Sequence, residues 1–143
     1  MYGYKCNLLT DTEVITYIFH FLLRKQKMTL REAAAVIAAP FWNTIEHMDE
    51  EEKALYTYLR TAFSNLLITG PFSILLGFSG GLMALNDRLK LRSMVVGEKG
   101  NMTYIASEEC AIRIIEPELD SIRAPKGGEP VIVTLNSCAK GGM

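Results

Sequence analysis

Apolar residues recur at spacings of three and four through the first part of the chain, and at every second position further on. Val14, Ile18 and Leu22, with Ile15, Phe19 and Leu23 beside them, fall on one helix face. They predict a helix from about Asp11 to Gln26. Thr10 and Glu13 stand at its start with the spacing of a capping box: Thr10 accepts from a first-turn amide, and Glu13 reaches back to the amide of Thr10. A second box, Thr29 with Glu32, opens an alanine-rich helix that must stop before Pro40. Asp49 with Glu52 caps a third helix to about Asn65, with Leu55, Leu59, Ala62 and Phe63 as its core stripe. The acidic run Glu50–Glu52 is a solvated first turn that suits the helix dipole. Between these helices, Phe41 and Trp42 are expected to pack as an aromatic plug. A short lead-in precedes the first helix, with a strand expected at Lys5–Leu9.

After Thr69 the period changes to two. Phe72, Ile74, Leu76 and Phe78 alternate with Ser73, Leu75 and Gly77, which predicts a strand with one face more apolar than the other. Ser79-Gly80-Gly81 turns the chain, and Leu82–Leu85 returns as a second strand. Ser93–Gly97 and Met102–Ala106 form the next pair, joined by Glu98-Lys99-Gly100-Asn101. Ser107 is expected to cap a short helix, Glu108–Ile115, stopped by Pro117. A last strand is expected at about Pro130–Leu135, after the loop Ala124–Gly128. Helices first and hairpin strands later argue for an α+β fold with a mainly antiparallel sheet.

The apolar run from Leu66 to Leu85 carries no charged residue and is long enough to span a bilayer. Gly70-Pro71 and Ser79-Gly80-Gly81 interrupt it with turn chemistry, so it is read as short buried strands, with no membrane span.

The 143 residues suffice for one domain with a real core, and 49% hydrophobic with 22% charged residues exclude a disordered chain. A net charge of -1 gives no basic surplus for nucleic acid. The three cysteines, Cys6, Cys110 and Cys138, lack CxxC spacing, and their odd number without a signal peptide favours reduced thiols in the cytoplasm. Cys110 looks like a small core residue. The two histidines, His20 and His47, have no ligand-spaced partners, and no metal site is expected.

Two places invite chemistry. Asp11 is not required by the cap, yet it sits at the positive end of a helix dipole. It is either a first-turn acid or a carboxylate that faces a ligand's ammonium group. Asp87, Arg88 and Arg92 invite a phosphate or nucleotide reading; the other reading is a strand-end turn around a buried ion pair. The second reading is preferred. Ser107 and Glu108 have the look of a catalytic pair, but a cap and a first-turn acid account for them.

Five stretches in order carry a resemblance. They are Thr10-Asp11-Thr12-Glu13-Val14-Ile15, Gly70-Pro71-Phe72-Ser73-Ile74-Leu75-Leu76-Gly77, Asn86-Asp87-Arg88-Leu89-Lys90-Leu91-Arg92-Ser93, Tyr104-Ile105-Ala106-Ser107-Glu108-Glu109 and Pro125-Lys126-Gly127-Gly128-Glu129. Together they resemble the second half of a class II glutamine amidotransferase domain, nearest to that of the glutamate synthase large subunit. Residues 1–135 would then be the C-terminal portion of such a domain, and 136–143 a flexible tail. The resemblance implies an incomplete αββα N-terminal-nucleophile hydrolase sandwich. It also implies hydrolysis of glutamine to glutamate and ammonia, by an N-terminal cysteine whose own α-amino group is the base. An Asn-Gly pair supplies the family's oxyanion hole and an arginine holds the substrate carboxylate. The aspartate of the Thr-Asp-Thr-Glu motif holds the substrate ammonium, and it matches Asp11.

Met1-Tyr2 provides no N-terminal cysteine, Cys6 lacks the α-amino base, and no Asn-Gly pair occurs. The arginine loop belongs upstream of Thr10. The chain therefore has no catalytic residue of its own and is expected to be inactive in isolation. Asp11 is the one substrate-binding residue, and no residue is recognisable as a cofactor ligand. The expected partners are glutamine and either an N-terminal amidotransferase half or glutamate synthase subunits. A reading from another class is a non-catalytic scaffold or regulatory module that retains the fold.

Overall fold

A computed structural model describes residues 3–8 and 10–135. The chain divides into two compact units, Met1–Leu67 and Ile68–Met143. The expected tail lies outside the described residues, as does Cys138.

The first unit is helical. Helix α1 spans Asp11–His20 and continues as a π-helical turn, Phe21–Lys25, so the wide helix of the apolar stripe ends one residue early. The amide of Gln26 reaches the carbonyl of Phe21, and Lys27 then takes a left-handed conformation (φ 58°) that closes the end. The capping box at Thr10 is built differently from expectation. Thr10 Oγ1 accepts from the amide of Glu13 at 3.2 Å, but the Glu13 carboxylate reaches further upstream, to the amides of Asn7 and Leu8 at 2.8 Å each. This clamp bends the lead-in, and no strand forms over its described part, 5–8; Leu9 lies outside the described residues.

Helix α2, Leu30–Ile37, has the full box: Thr29 N donates to Glu32 Oε2 at 2.6 Å and Glu32 N to Thr29 Oγ1 at 3.2 Å. Residues Ala33–Ile37 are all buried, as a helix apolar on every side must be. Phe41 and Trp42 do not form a buried plug. Trp42 starts a short helix α3, Trp42–Glu46, and is 45% exposed, with the Arg60 guanidinium 4.2 Å above its ring. Arg60 also donates to the Pro40 carbonyl, so it holds the ring from outside. Helix α4, Glu50–Ala62, is capped by Asp49 and followed by a 3₁₀ turn, Ser64–Leu66. Of the expected stripe only Leu59 is buried; Leu55 and Ala62 are exposed and Phe63 is half-buried.

The second unit has two antiparallel three-stranded sheets. Strands β1 (Ser73–Phe78), β2 (Gly81–Asn86) and β6 (Val131–Thr134) form one, in the order β1-β2-β6. Strands β3 (Val95–Lys99), β4 (Met102–Ala106) and β5 (Ser121–Arg123) form the other, in the order β4-β3-β5. The polar turn Asn86–Ser93 pushes the start of β3 two residues past its expected place. Strand β5 was not expected, since three residues with one apolar side chain give no periodic signal. The sheets share a core of Ala84, Val131 and Val133 from one and Met94, Val96 and Ile105 from the other. Next to Val96, Gly97 points to the opposite face. A Cβ there would lie 3.1 Å from Leu119 and 3.2 Å from Ile112, so glycine lets helix α5, Glu109–Ile115, seat on that face. Layers of sheet, sheet and helix result, and the unit is α+β. Ser107 does not cap α5; Glu108 holds the cap position without a side-chain hydrogen bond. Among the described residues, no helix is long and apolar enough to cross a membrane.

Candidate functional site

Asp11 is exposed at the first position of α1. Its Oδ1 accepts from the amide of Thr12 at 2.7 Å and faces Thr12 Oγ1 at 3.4 Å. Its other carboxylate oxygen has no partner among the described residues. The cap is made by Thr10, so the helix start does not consume Asp11. Further along the helix, aromatic groups hold the lead-in. Tyr4 stacks on Tyr17 at 4.8 Å and meets His20 Nδ1 at 2.6 Å through its hydroxyl, while Lys25 Nζ lies 4.7 Å from the Tyr4 ring. Partial burial, reinforced by the Glu13 carboxylate, pushes the Tyr17 phenol above its ordinary pKa. His47 is likewise satisfied, Nδ1 to the Asn43 carbonyl at 2.7 Å.

The turn after β2 is organised by Asp87, which is 2% exposed. Its Oδ1 accepts from the amides of Leu89 (3.1 Å) and Leu91 (2.9 Å), and its Oδ2 from the amide of Arg92 (3.0 Å). Burial drives its pKa upward, but the amides of Leu91, Arg92, Phe72 and Leu89 win, and the net shift is below the usual carboxylate value. The expected ion pair is thus replaced by backbone donors. Asn86, fully buried, donates through Nδ2 to the Arg92 carbonyl at 3.3 Å, while its Oδ1 has no partner among the described residues. The Pro125–Glu129 stretch closes over this turn. A Cβ on Gly127 would sit 2.3 Å from the Arg88 carbonyl oxygen, so only glycine fits. Glu129 ties the loop down, accepting from the Lys126 amide and the Arg123 guanidinium at 2.8 Å each; these bonds, the amide first, hold its pKa low. The Pro125–Glu129 and Asn86–Ser93 stretches therefore meet in space, and the Gly70–Gly77 stretch joins them through the Ser73–Asn86 pair and the Asp87 amide on the Phe72 carbonyl.

A cleft of about 440 Å³ opens in the second unit between the start of β1, the approach to β3 and the end of β4. Leu75, Met94 and Ile105 line its apolar part. Arg92, Glu108 and the hydroxyl residues Ser73, Ser93 and Ser107 line the polar part. The Arg92 side chain has no hydrogen-bond or ion-pair partner among the described residues, whose ion pairs are Lys99–Asp120, Arg113–Glu109 and Arg123–Glu129. The Glu108 carboxylate takes only the weak thiol donor of Cys110, at 3.4 Å. Cys110 is exposed, not in the core. Sequence reasoning missed this cleft. It spent Ser107 and Glu108 on a cap and Arg92 on an ion pair, and no local pattern joins residues 73, 92 and 108. Among the described residues, no cluster of three or more metal-ligating side chains occurs.

An uncharacterized protein of Archaeoglobus fulgidus is 44% identical to the chain over 140 residues, which cover 98% of this chain and 37% of that protein. The chain thus spans little more than a third of the length of that relative. No family profile and no solved structure matches it.

Proposed function

We propose that this chain is the C-terminal portion of a class II glutamine amidotransferase domain of the glutamate synthase type, acting in the cytoplasm. Asp11 would bind the substrate ammonium in it. The observation that carries the reading is the helix start at Thr10–Glu13: the cap is complete without Asp11, and its carboxylate stands exposed with one oxygen unpartnered among the described residues. A short aspartate fixed through Thr12 beside a helix start is suited to a charged hydrogen bond with an α-ammonium group. Two packed antiparallel sheets with one covering helix fit part of an αββα sandwich. The nucleophile, oxyanion hole and carboxylate clamp would come from a further polypeptide stretch, and a relative more than twice as long is consistent with that.

The test is reconstitution. The chain is co-expressed with an amidotransferase N-terminal half that begins with cysteine and carries the Asn-Gly pair. Glutamine hydrolysis is expected from the pair and from neither part alone. A stable complex without glutaminase activity would count for the scaffold reading instead.

A further inference from the structure

Leu75 stands opposite Ala84 across the β1–β2 ladder, and Ala84 belongs to the core shared by the two sheets. Directly opposed residues share a face. Leu75 therefore points to the side where the sheets meet, yet it is 66% exposed. The sheets are open there, and the opening is the cleft described above.

What lines that opening is chemically specific. It offers apolar surface from Leu75, Met94 and Ile105, one cation, one anion and three hydroxyls. Arg92 is fixed at its backbone on both sides, its amide held by Asp87 and its carbonyl by Asn86, while its guanidinium stays uncommitted. An arginine held rigidly at the root and free at the tip is suited to a planar carboxylate. Glu108, on the same cleft, takes a cation. An apolar wall beside a cation and an anion matches a zwitterion with a hydrocarbon side chain.

We infer that this cleft binds a free apolar α-amino acid, with its carboxylate on Arg92, its ammonium on Glu108 and its side chain over Leu75. The site lies wholly within the second unit and does not include Asp11. It stands apart from the glutamine reading.

The experiment uses the 143-residue chain alone, titrated with L-leucine and followed by amide chemical shifts. Two analogues each remove one charge: 4-methylpentanoate lacks the ammonium and 3-methylbutylamine lacks the carboxylate. L-leucine is expected to shift the amides of Arg92, Ser93 and Ser107. Arg92→Ala should weaken it at least about tenfold, and Asp11→Asn should leave it unchanged. The Arg92 backbone bonds survive Arg92→Ala, and the amide spectrum reports that the variant folds. Glu108→Gln should weaken L-leucine but not 4-methylpentanoate. Three results would overturn the inference: no shifts with L-leucine at about 10 mM, 4-methylpentanoate binding as tightly as L-leucine, or binding indifferent to Arg92→Ala. Loss of binding in Asp11→Asn would place the amino acid at the helix start, and would overturn it as well.

Discussion

The carboxylate of Asp87 lies 3.0 Å from the backbone nitrogen of Arg92, five residues on, and the same carboxylate holds the amides of Leu89 and Leu91. One buried acid thereby folds a whole turn around itself. Removing it leaves the amides of Leu89, Leu91, Arg92 and Phe72 without that acceptor, and Asp87→Ala should cost about 3 kcal/mol in a urea melt.

The pH dependence follows from the depressed pKa of Asp87. A carboxylate with a folded pKa below its unfolded value contributes stability that is fully present above the unfolded value. That contribution is lost as pH falls through the folded one. Glu129 and Asp120 shift in the same direction. The wild-type chain should therefore lose stability below about pH 4. Asp87→Asn should be less stable at neutral pH but decline less steeply in acid. Parallel acid slopes for the two proteins would show that Asp87 is not a significant part of the acid response.

Where a single physical cause acted locally, the sequence was readable. The box at Thr29, the cap at Asp49, the first hairpin and strand β4 fall where propensity and turn chemistry put them, while β3 takes up Glu98 and Lys99 from the expected turn. The departures have non-local causes. Trp42 is held at the surface by an arginine eighteen residues away, and Glu13 is taken up by the amides of Asn7 and Leu8 instead of the amide of Thr10. Asp11 was legible as a position, since motif and cap spacing mark it. The cleft was not, because the packing of one sheet on the other brings its residues together from three separate segments.

Among the described residues strand β1 is an edge strand, paired only with β2, and Ser73–Phe78 contains no charge or proline. Phe78 and Gly81 flank a two-residue turn, so they form a hydrogen-bonded pair and the pattern alternates from there. The amides of Gly77 and Leu75 then face outward. An uncharged edge with free amides recruits other strands. The chain should self-associate with rising concentration in light scattering. Gly77→Lys, where a Cβ meets nothing within 4 Å, should reduce this without unfolding the protein. Unchanged association would shift attention to β4 or β6.

The isolated chain should show no glutaminase activity, and a diazo-ketone analogue of glutamine should label no cysteine in a glutamine-protected manner. Cys6 is half-buried and has no α-amino group of its own to act as base. Exposed Cys110 provides the control, since its alkylation should be slow and indifferent to glutamine. Stoichiometric labelling of Cys6, blocked by glutamine and located by peptide mass spectrometry, would make Cys6 the nucleophile.

Asp11 and Thr10 are adjacent, yet they should fail in different ways. Thr10 makes the cap, Oγ1 to the amide of Glu13. Thr10→Ala should therefore cost about 1 kcal/mol of stability, with glutamine use preserved once folded. Among the described residues, Asp11 makes only a contact with its neighbour Thr12. A charged hydrogen bond from its carboxylate to a substrate ammonium is worth roughly 1.5–3 kcal/mol. In the reconstituted enzyme, Asp11→Asn should accordingly lower kcat/KM about ten- to hundredfold. The ammonium is remote from the scissile amide and is held alike in ground and transition states, so the loss belongs in KM. Glutamine titrations of the two variants, with melts run in parallel, separate the roles. If KM rises with Thr10→Ala and stays put with Asp11→Asn, the ligand contact belongs to the cap residue, and Asp11 serves only the first turn.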